Sequence, residues 1–179
     1  MESDEALFAR VKLGDIVAFD RLYERYEKRL FGFLLSQLRN RADAEDVLNE
    51  AFMSALQSGD PSFEREGGFR AWLYRIARNL TLNRGRSARR GARALASLPE
   101  PAPQERADES LARHELLRAL DGAVSRLPPA LHEVYHLRSS GLSYEEIAVV
   151  LEVPLGTLKS RMNQMVTHLR EEVEPWTAR

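Results

Sequence analysis

There is no cysteine in this 179-residue chain. Disulfide staples and thiolate metal sites are thereby excluded, and a cytoplasmic location is favoured. Long apolar runs are also missing. No stretch approaches the roughly 20 residues that span a bilayer, so no membrane insertion is expected. The opening MESDEALFAR is acidic and lacks the basic start and apolar run of a secretory signal. Period-two alternation, the mark of a half-buried strand, is absent as well. The chain shows no nucleophile–base arrangement and no phosphate-binding glycine loop. Asp43, Asp46 and Glu50 have helical spacing, but no histidine lies among them. The four histidines (His114, His132, His136, His168) all fall in the second half. Di-metal helical sites need Glu-x-x-His motifs from partner helices, and no second carboxylate helix matches this one. No metal, no cofactor and no enzymatic activity are expected.

What is there is helical periodicity. Asp4 to Val11 reads as a short helix. Ile16 to Arg39 reads as a long one, with Phe19, Leu22, Tyr23, Tyr26, Leu30, Phe33 and Leu34 on its apolar side. Ala42 to Gln57 forms a third, with acidic residues near its positive end. SGDPSFEREGG is a turn-rich loop, and Phe69 to about Arg90 a fourth helix. The periodicity then breaks over ASLPEPAP, whose prolines read as an extended linker. It resumes with Leu111, Leu116, Leu117, Leu120, Val124 and Leu127. The expected fold is all-α: two small helical domains, 1–90 and 108–175, joined by a flexible linker over 91–107. Each is small enough for its own core to be marginal.

The net charge of −1 conceals a strong asymmetry. Between Phe69 and Arg93 stand eight arginines and no acid. Such a block in a near-neutral chain points to a polyanion partner for that block. On the fourth helix Leu73, Ile76, Ala77 and Leu80 face inward. Arg75, Asn79, Asn83 and Arg86 fall together outside, with Arg78 and Leu82 at the edge. Cations for phosphates and amides for base edges make this a nucleic-acid surface. Nearby, Phe69 and Trp72 are expected in the core. On the third helix Val47, Leu48, Ala51 and Ala55 share one side, and Asp46, Asn49, Glu50 and Met53 the other. That acidic face suits a basic partner helix, although charged outer faces are also the ordinary state of a surface helix.

The C-terminal segment LSYEEIAVVLEVPLGTLKSRMNQMVTHLREE is the sharpest local signal. Ser143 and Glu146 form a capping-box pattern, and a short helix through Leu151 follows. A turn around Glu152 to Pro154 leads to a second helix of about twenty residues. This describes a helix-turn-helix. Leu158, Met162, Met165 and Leu169 fall inward on the second helix, at about 100° per residue. Ser160, Asn163, Gln164 and Thr167 fall outward, flanked by Lys159 and Arg161. Amides there can pair with adenine in a major groove, and the cations can hold phosphates or guanine.

Several motifs resemble one family. LPPALHEVYHLRSSGLSYEEIAVVLEVPLGTLKSR resembles the promoter-binding C-terminal domain of extracytoplasmic-function (ECF) sigma factors, with GTLKSR in place of the usual GTVKSR. DAEDVLNEAF is similar to that family's polymerase-docking helix, and FRAWLYRIARN to its promoter-melting helix. Glu152 departs from the small residue usual in the turn, and Asn49 from a common Gln. Asn163 to Val166 replace a stretch richer in Arg and Ala. The resemblance implies a non-catalytic initiation factor. Asp46, Asn49, Glu50 and Met53 would dock on the clamp helices of core RNA polymerase, with a further contact to its flap. Arg75, Arg78, Asn79, Asn83 and Arg86 would meet the minus-ten element. Phe63 and Arg65, in the loop Ser62 to Gly68, would hold a flipped base. Lys159, Ser160, Arg161, Asn163 and Gln164 would read the minus-thirty-five element. It also implies control by an anti-sigma factor. The runner-up is a stand-alone helix-turn-helix regulator, which leaves the arginine block and the acidic helix unexplained.

Overall fold

The computed structural model describes residues 2–58, 67–91 and 111–177, and among these it is helical throughout, without strands. The first half holds α1 (Asp4–Lys12), α2 (Ile16–Leu38), α3 (Arg41–Gln57) and α4 (Gly68–Gly91). The second holds α5 (Leu111–Ser125), α6 (Pro129–Ser139), α7 (Tyr144–Leu151) and α8 (Leu155–Thr177). The expected linker lies, apart from Gly91 at the end of α4, outside the described residues.

Short polar side chains set the helix starts. Ser3, Asp15 and Asn40 accept the backbone N–H groups of Ala6, Ala18 and Asp43, each three residues on. Ser143 and Glu146 close the reciprocal capping box that the sequence predicts. Two helices end on a left-handed residue that is not glycine: Arg39 (φ 51°) after α2 and Glu152 (φ 55°) after α7.

In the first half, Leu22, Leu30, Phe33 and Leu34 of α2 are buried with Val47, Leu48, Ala51 and Phe52 of α3 and Leu73 and Ala77 of α4. Phe8, Phe69 and Trp72 stack edge-on or tilted, with centroids 5.2–5.9 Å apart. Phe69 and Trp72 are therefore core, as the sequence suggested. Truncating either to Ala is expected to cost about 3–5 kcal/mol. In the second half, Leu131, Val134, Leu137, Ile147, Val150, Leu158, Met162 and Met165 fill the space between α6, α7 and α8.

The two halves do not keep separate cores. One buried apolar cluster runs through both, because α4 packs on α7 and α2 on α6. Ion pairs border this junction. Arg70 of α4 holds Glu146 of α7 with two parallel bonds, Nε–Oε1 at 2.8 Å and Nη2–Oε2 at 2.6 Å. Arg78 Nε donates to Glu133 Oε1 of α6 at 2.7 Å, with both side chains only 17% exposed. The bidentate Arg70–Glu146 pair and the partly desolvated Arg78–Glu133 pair exceed ordinary surface pairs in strength.

Candidate nucleic-acid and protein interfaces

On α8 the inward stripe is as the periodicity predicts. Leu158, Met162 and Met165 are buried and Leu169 is half-buried. Lys159, Ser160, Asn163, Gln164 and Thr167 are exposed, while Arg161 is half-buried at the edge. The outer face carries a shallow hollow of about 410 Å³ lined by Ser160, Asn163, Gln164, Thr167, His168 and Glu171. The tight turn before α8 rests on the left-handed Glu152, whose N–H bonds back to α7. Leu151 and Leu158, on either side of that turn, are both buried and fix the angle between the two helices.

On α4 the outcome is mixed. Asn79 and Asn83 are exposed, one turn apart, with Leu82 41% exposed beside them. Arg75 is half-buried. Arg78, expected with these as a phosphate contact, is instead engaged by Glu133 at the junction. Tyr74 is fully buried against Phe33. Arg70, counted in the basic block, is likewise taken by Glu146. The side chain of Arg86, and the loop residues Phe63 and Arg65, lie outside the described residues.

On α3, Val47, Leu48, Ala51 and Ala55 are buried, and Asp46, Asn49, Glu50 and Met53 are exposed, Met53 by 52%. Asn49 Oδ1 accepts from the Tyr23 hydroxyl of α2 at 3.5 Å. Arg84 of α4 reaches across to this face, 3.3 Å from Asp43, 3.7 Å from Asp46 and 3.5 Å from Glu50.

Sequence reasoning missed an apolar patch beside the C-terminal end of α3. Leu13, Ile16 and Val17 are 89%, 73% and 57% exposed. Lys12 bonds the carbonyls of Leu56 and Ser58 at 3.0 and 2.8 Å, which brings this turn to the C-terminal end of α3, near Met53. The signal was present: Leu13, Ile16 and Val17 are apolar but lie in the turn after α1 and at the start of α2, before the first buried residue of that helix, Ala18.

Near the junction His132 and His136 of α6 stand one turn apart, Nε2 to Nε2 3.1 Å. Burial, then the neighbouring imidazole, pushes His136 down to about 4. Burial and the positive charge of Arg39 lower His132 as well. Among the described residues no three His, Cys, Asp or Glu side chains are placed to hold a metal ion, and no helix is long and apolar enough to cross a membrane.

Comparison with known proteins gives these surfaces a context. Residues 22–91 match the family model Sigma-70 region 2, and residues 117–169 match Sigma-70, region 4. The chain is 32% identical to the RNA polymerase sigma-H factor of Pseudomonas aeruginosa over 191 residues, covering 97% of this chain and 95% of that protein. It is 33% identical to the ECF RNA polymerase sigma-E factor of Haemophilus influenzae over 184 residues, covering 97% and 96%. Among solved structures it resembles CnrH in complex with the cytosolic domain of CnrY, with a TM-score of 0.65 at 26% identity over 97% of this chain and 99% of that one. It also resembles the sigma factor RpoE bound to the anti-sigma factor NepR from Bartonella quintana, with a TM-score of 0.65 at 25% identity over 87% and 96%.

Proposed function

The chain belongs to the sigma-70 family, as an ECF-type alternative sigma factor that directs RNA polymerase to promoters, and on that premise we propose which of its surfaces meets which partner. The acidic face of α3, with Asp46, Asn49, Glu50 and Met53, docks on the clamp helices of core polymerase. Asn79 and Asn83 of α4 contact bases of the minus-ten element, with Arg75 and Arg86 on phosphates. Phe63 and Arg65 hold a base flipped from the stack, which costs a few kcal/mol that the pocket must offset. Asn163 and Gln164 of α8 read the minus-thirty-five element in the major groove, anchored by Lys159, Ser160 and Arg161. Residues 1–90 form the polymerase-docking and melting domain, 91–107 the linker and 108–175 the upstream reader. The chain works inside the cell and carries out no chemistry of its own; the polymerase forms the phosphodiester bonds.

One observation carries this reading: an acidic outer face on α3 and an amide-and-cation outer face on α8 occur in one chain, on helices whose inner faces share one core. A stand-alone regulator has no use for the first. An anti-sigma partner is part of the proposal, supported by the NepR complex of the related RpoE and by the closed packing of the two halves here. The test is promoter-specific transcription by core polymerase with and without the chain. Initiation at defined start sites only when the chain is present is expected. Tight sequence-specific DNA binding by the free chain, without any effect on core polymerase, refutes the assignment of surfaces.

A further inference from the structure

Arg84 is placed differently from Arg70 and Arg78 of the same block. It continues the inward stripe of Leu73, Ala77 and Leu80 and ends it over three carboxylates of α3. Its approaches, 3.3, 3.7 and 3.5 Å, go to three different residues and none is bidentate. The acids are 50%, 69% and 49% exposed and Arg84 35%. The Arg70–Glu146 pair is different: two short parallel bonds to a carboxylate only 13% exposed. A shared, wet, loosely held guanidinium exchanges at little cost, whereas a bidentate partly buried one does not. Among the described residues, three acids against this one cation also leave the face net negative. The face therefore still attracts a cation while Arg84 occupies its centre.

We propose that Arg84 is an internal stand-in for the basic group that core polymerase brings to α3, and that docking transfers its guanidinium to the promoter phosphate backbone. The inference rests on the docking reading of α3. An incoming guanidinium or ammonium and Arg84 compete for the same carboxylates, and two cations cannot share them without repulsion. Once displaced, Arg84 lies next in sequence to the exposed Asn83, on the helix assigned to the minus-ten element. The anion then nearest is a phosphate. Polymerase binding and promoter binding are thereby coupled through one side chain, and the coupling is reciprocal.

The experiment uses full-length Arg84→Ala and Arg84→Lys chains with core polymerase. Arg84→Ala is expected to bind core about two- to fivefold more tightly, the gain fading with added salt. In the holoenzyme the same change is expected to reduce the slope of log K for promoter binding against log salt by about 1. Arg84→Lys keeps the charge and stays near the parent in both. Core binding that is unchanged or weaker in Arg84→Ala overturns the stand-in role, and an unaltered salt slope overturns the transfer. Arg84→Gln, checked by its unfolding midpoint, replaces Arg84→Ala if the latter does not fold. The paired change Asp46→Asn with Glu50→Gln separates the two levels. If it leaves core binding intact, the docking reading fails. If it weakens binding while Arg84→Ala does not tighten it, only this inference fails.

Discussion

The two reading helices meet the outside differently. The outer face of α8 is open: Asn163, Gln164 and Ser160 are exposed along a shallow hollow. On α4 the described arginines Arg70, Arg78 and Arg84 are engaged within the chain, on Glu146, on Glu133 and on the acids of α3. Among its described side chains, the asparagines and Leu82 are the ones turned outward. The same residue types, on helices of similar length, thus differ in what they offer a ligand. Arginine count alone does not define a nucleic-acid surface; which of the arginines already have a carboxylate does. On the proposed reading, the upstream reader is ready in the free chain and the arginines of the melting helix await release.

The largest expected effect tests the face that starts that release. Reversing charge at Asp46 and Glu50 together, to lysine, sets like charges against a basic partner, which costs several kcal/mol. Core affinity is expected to fall by about 100-fold or more, since each 1.4 kcal/mol is tenfold. Both residues are exposed and their contacts with Arg84 are long, so the unfolding midpoint is expected to fall only slightly. A pull-down or a competition assay against core polymerase reads the result. Unchanged affinity removes α3 from the docking surface.

Opening the junction comes next. Glu133→Gln leaves Arg78 in place without its anion. Loss of a charge-assisted, partly buried bond is expected to cost on the order of 1–3 kcal/mol of stability. The freed guanidinium is expected to raise weak, salt-sensitive DNA binding by the isolated chain, measured by fluorescence anisotropy at low salt. If binding stays the same, the contrast between the open α8 and the occupied α4 has no bearing on DNA affinity.

On α8 itself, Gln164→Ala and Lys159→Ala are expected to diverge. A neutral amide suits the N6 and N7 edge of adenine, and a bidentate contact contributes about 1–3 kcal/mol of discrimination. Gln164→Ala therefore lowers transcription mainly from promoters carrying one particular upstream base pair. Lys159→Ala weakens all of them more evenly, as a phosphate anchor does. A promoter library varied at every upstream position distinguishes the two. A uniform loss for Gln164→Ala shows that it is not a base reader.

Local features were legible in the sequence. The helices, the capping box of Ser143 and Glu146 and the inner stripes of α3 and α8 depend on residues three, four or seven apart, so periodicity exposes them. The sequence also located the basic block but not its partners. Arg70 and Arg78 find acids 76 and 55 residues away, and no local pattern reports a pair at that separation. Glu146 was concealed by its own legibility: as the third residue of a capping box it reads as spoken for, yet one carboxylate caps α7 and holds Arg70 together. Separate small cores were expected, and one shared core was found, because that depends on how α4 meets α7.

The junction also sets a pH dependence. His136 is held neutral down to about 4 in the folded chain, against 6.5 when free, and His132 shifts in the same direction. Between those values the unfolded chain binds more protons than the folded one, so stability falls as pH drops through this window. Above about pH 7 both states are neutral at these sites and the contribution is fully present. Urea midpoints measured from about pH 7.5 to 5.5 are expected to decline, and the His132→Gln, His136→Gln pair to flatten the decline. Equal slopes in parent and variant assign the loss to other groups.

The smallest effect concerns a residue that each half has in common with the other. Arg39 and Glu152 both end a helix in the left-handed region, at φ 51° and 55°, where a side chain meets the following carbonyl. That conformation costs roughly 1–2 kcal/mol for a residue with a Cβ. Glycine removes the clash but loses more backbone entropy on folding, about 0.4–1 kcal/mol, so the net gain is a fraction of a kcal/mol up to about 1. Glu152 is exposed, and among the described residues no hydrogen bond or ion pair of its carboxylate offsets the cost. Arg39 is also exposed, but its charge acts on His132 across the junction. Glu152→Gly is therefore expected to raise the unfolding midpoint in urea, and Arg39→Gly to raise it by an amount that changes with pH as His132 titrates. Identical, pH-independent gains separate Arg39 from the histidine pair. A fall for Glu152→Gly shows that the turn before α8 draws on a contact of the Glu152 side chain, and that the upstream reader depends on it.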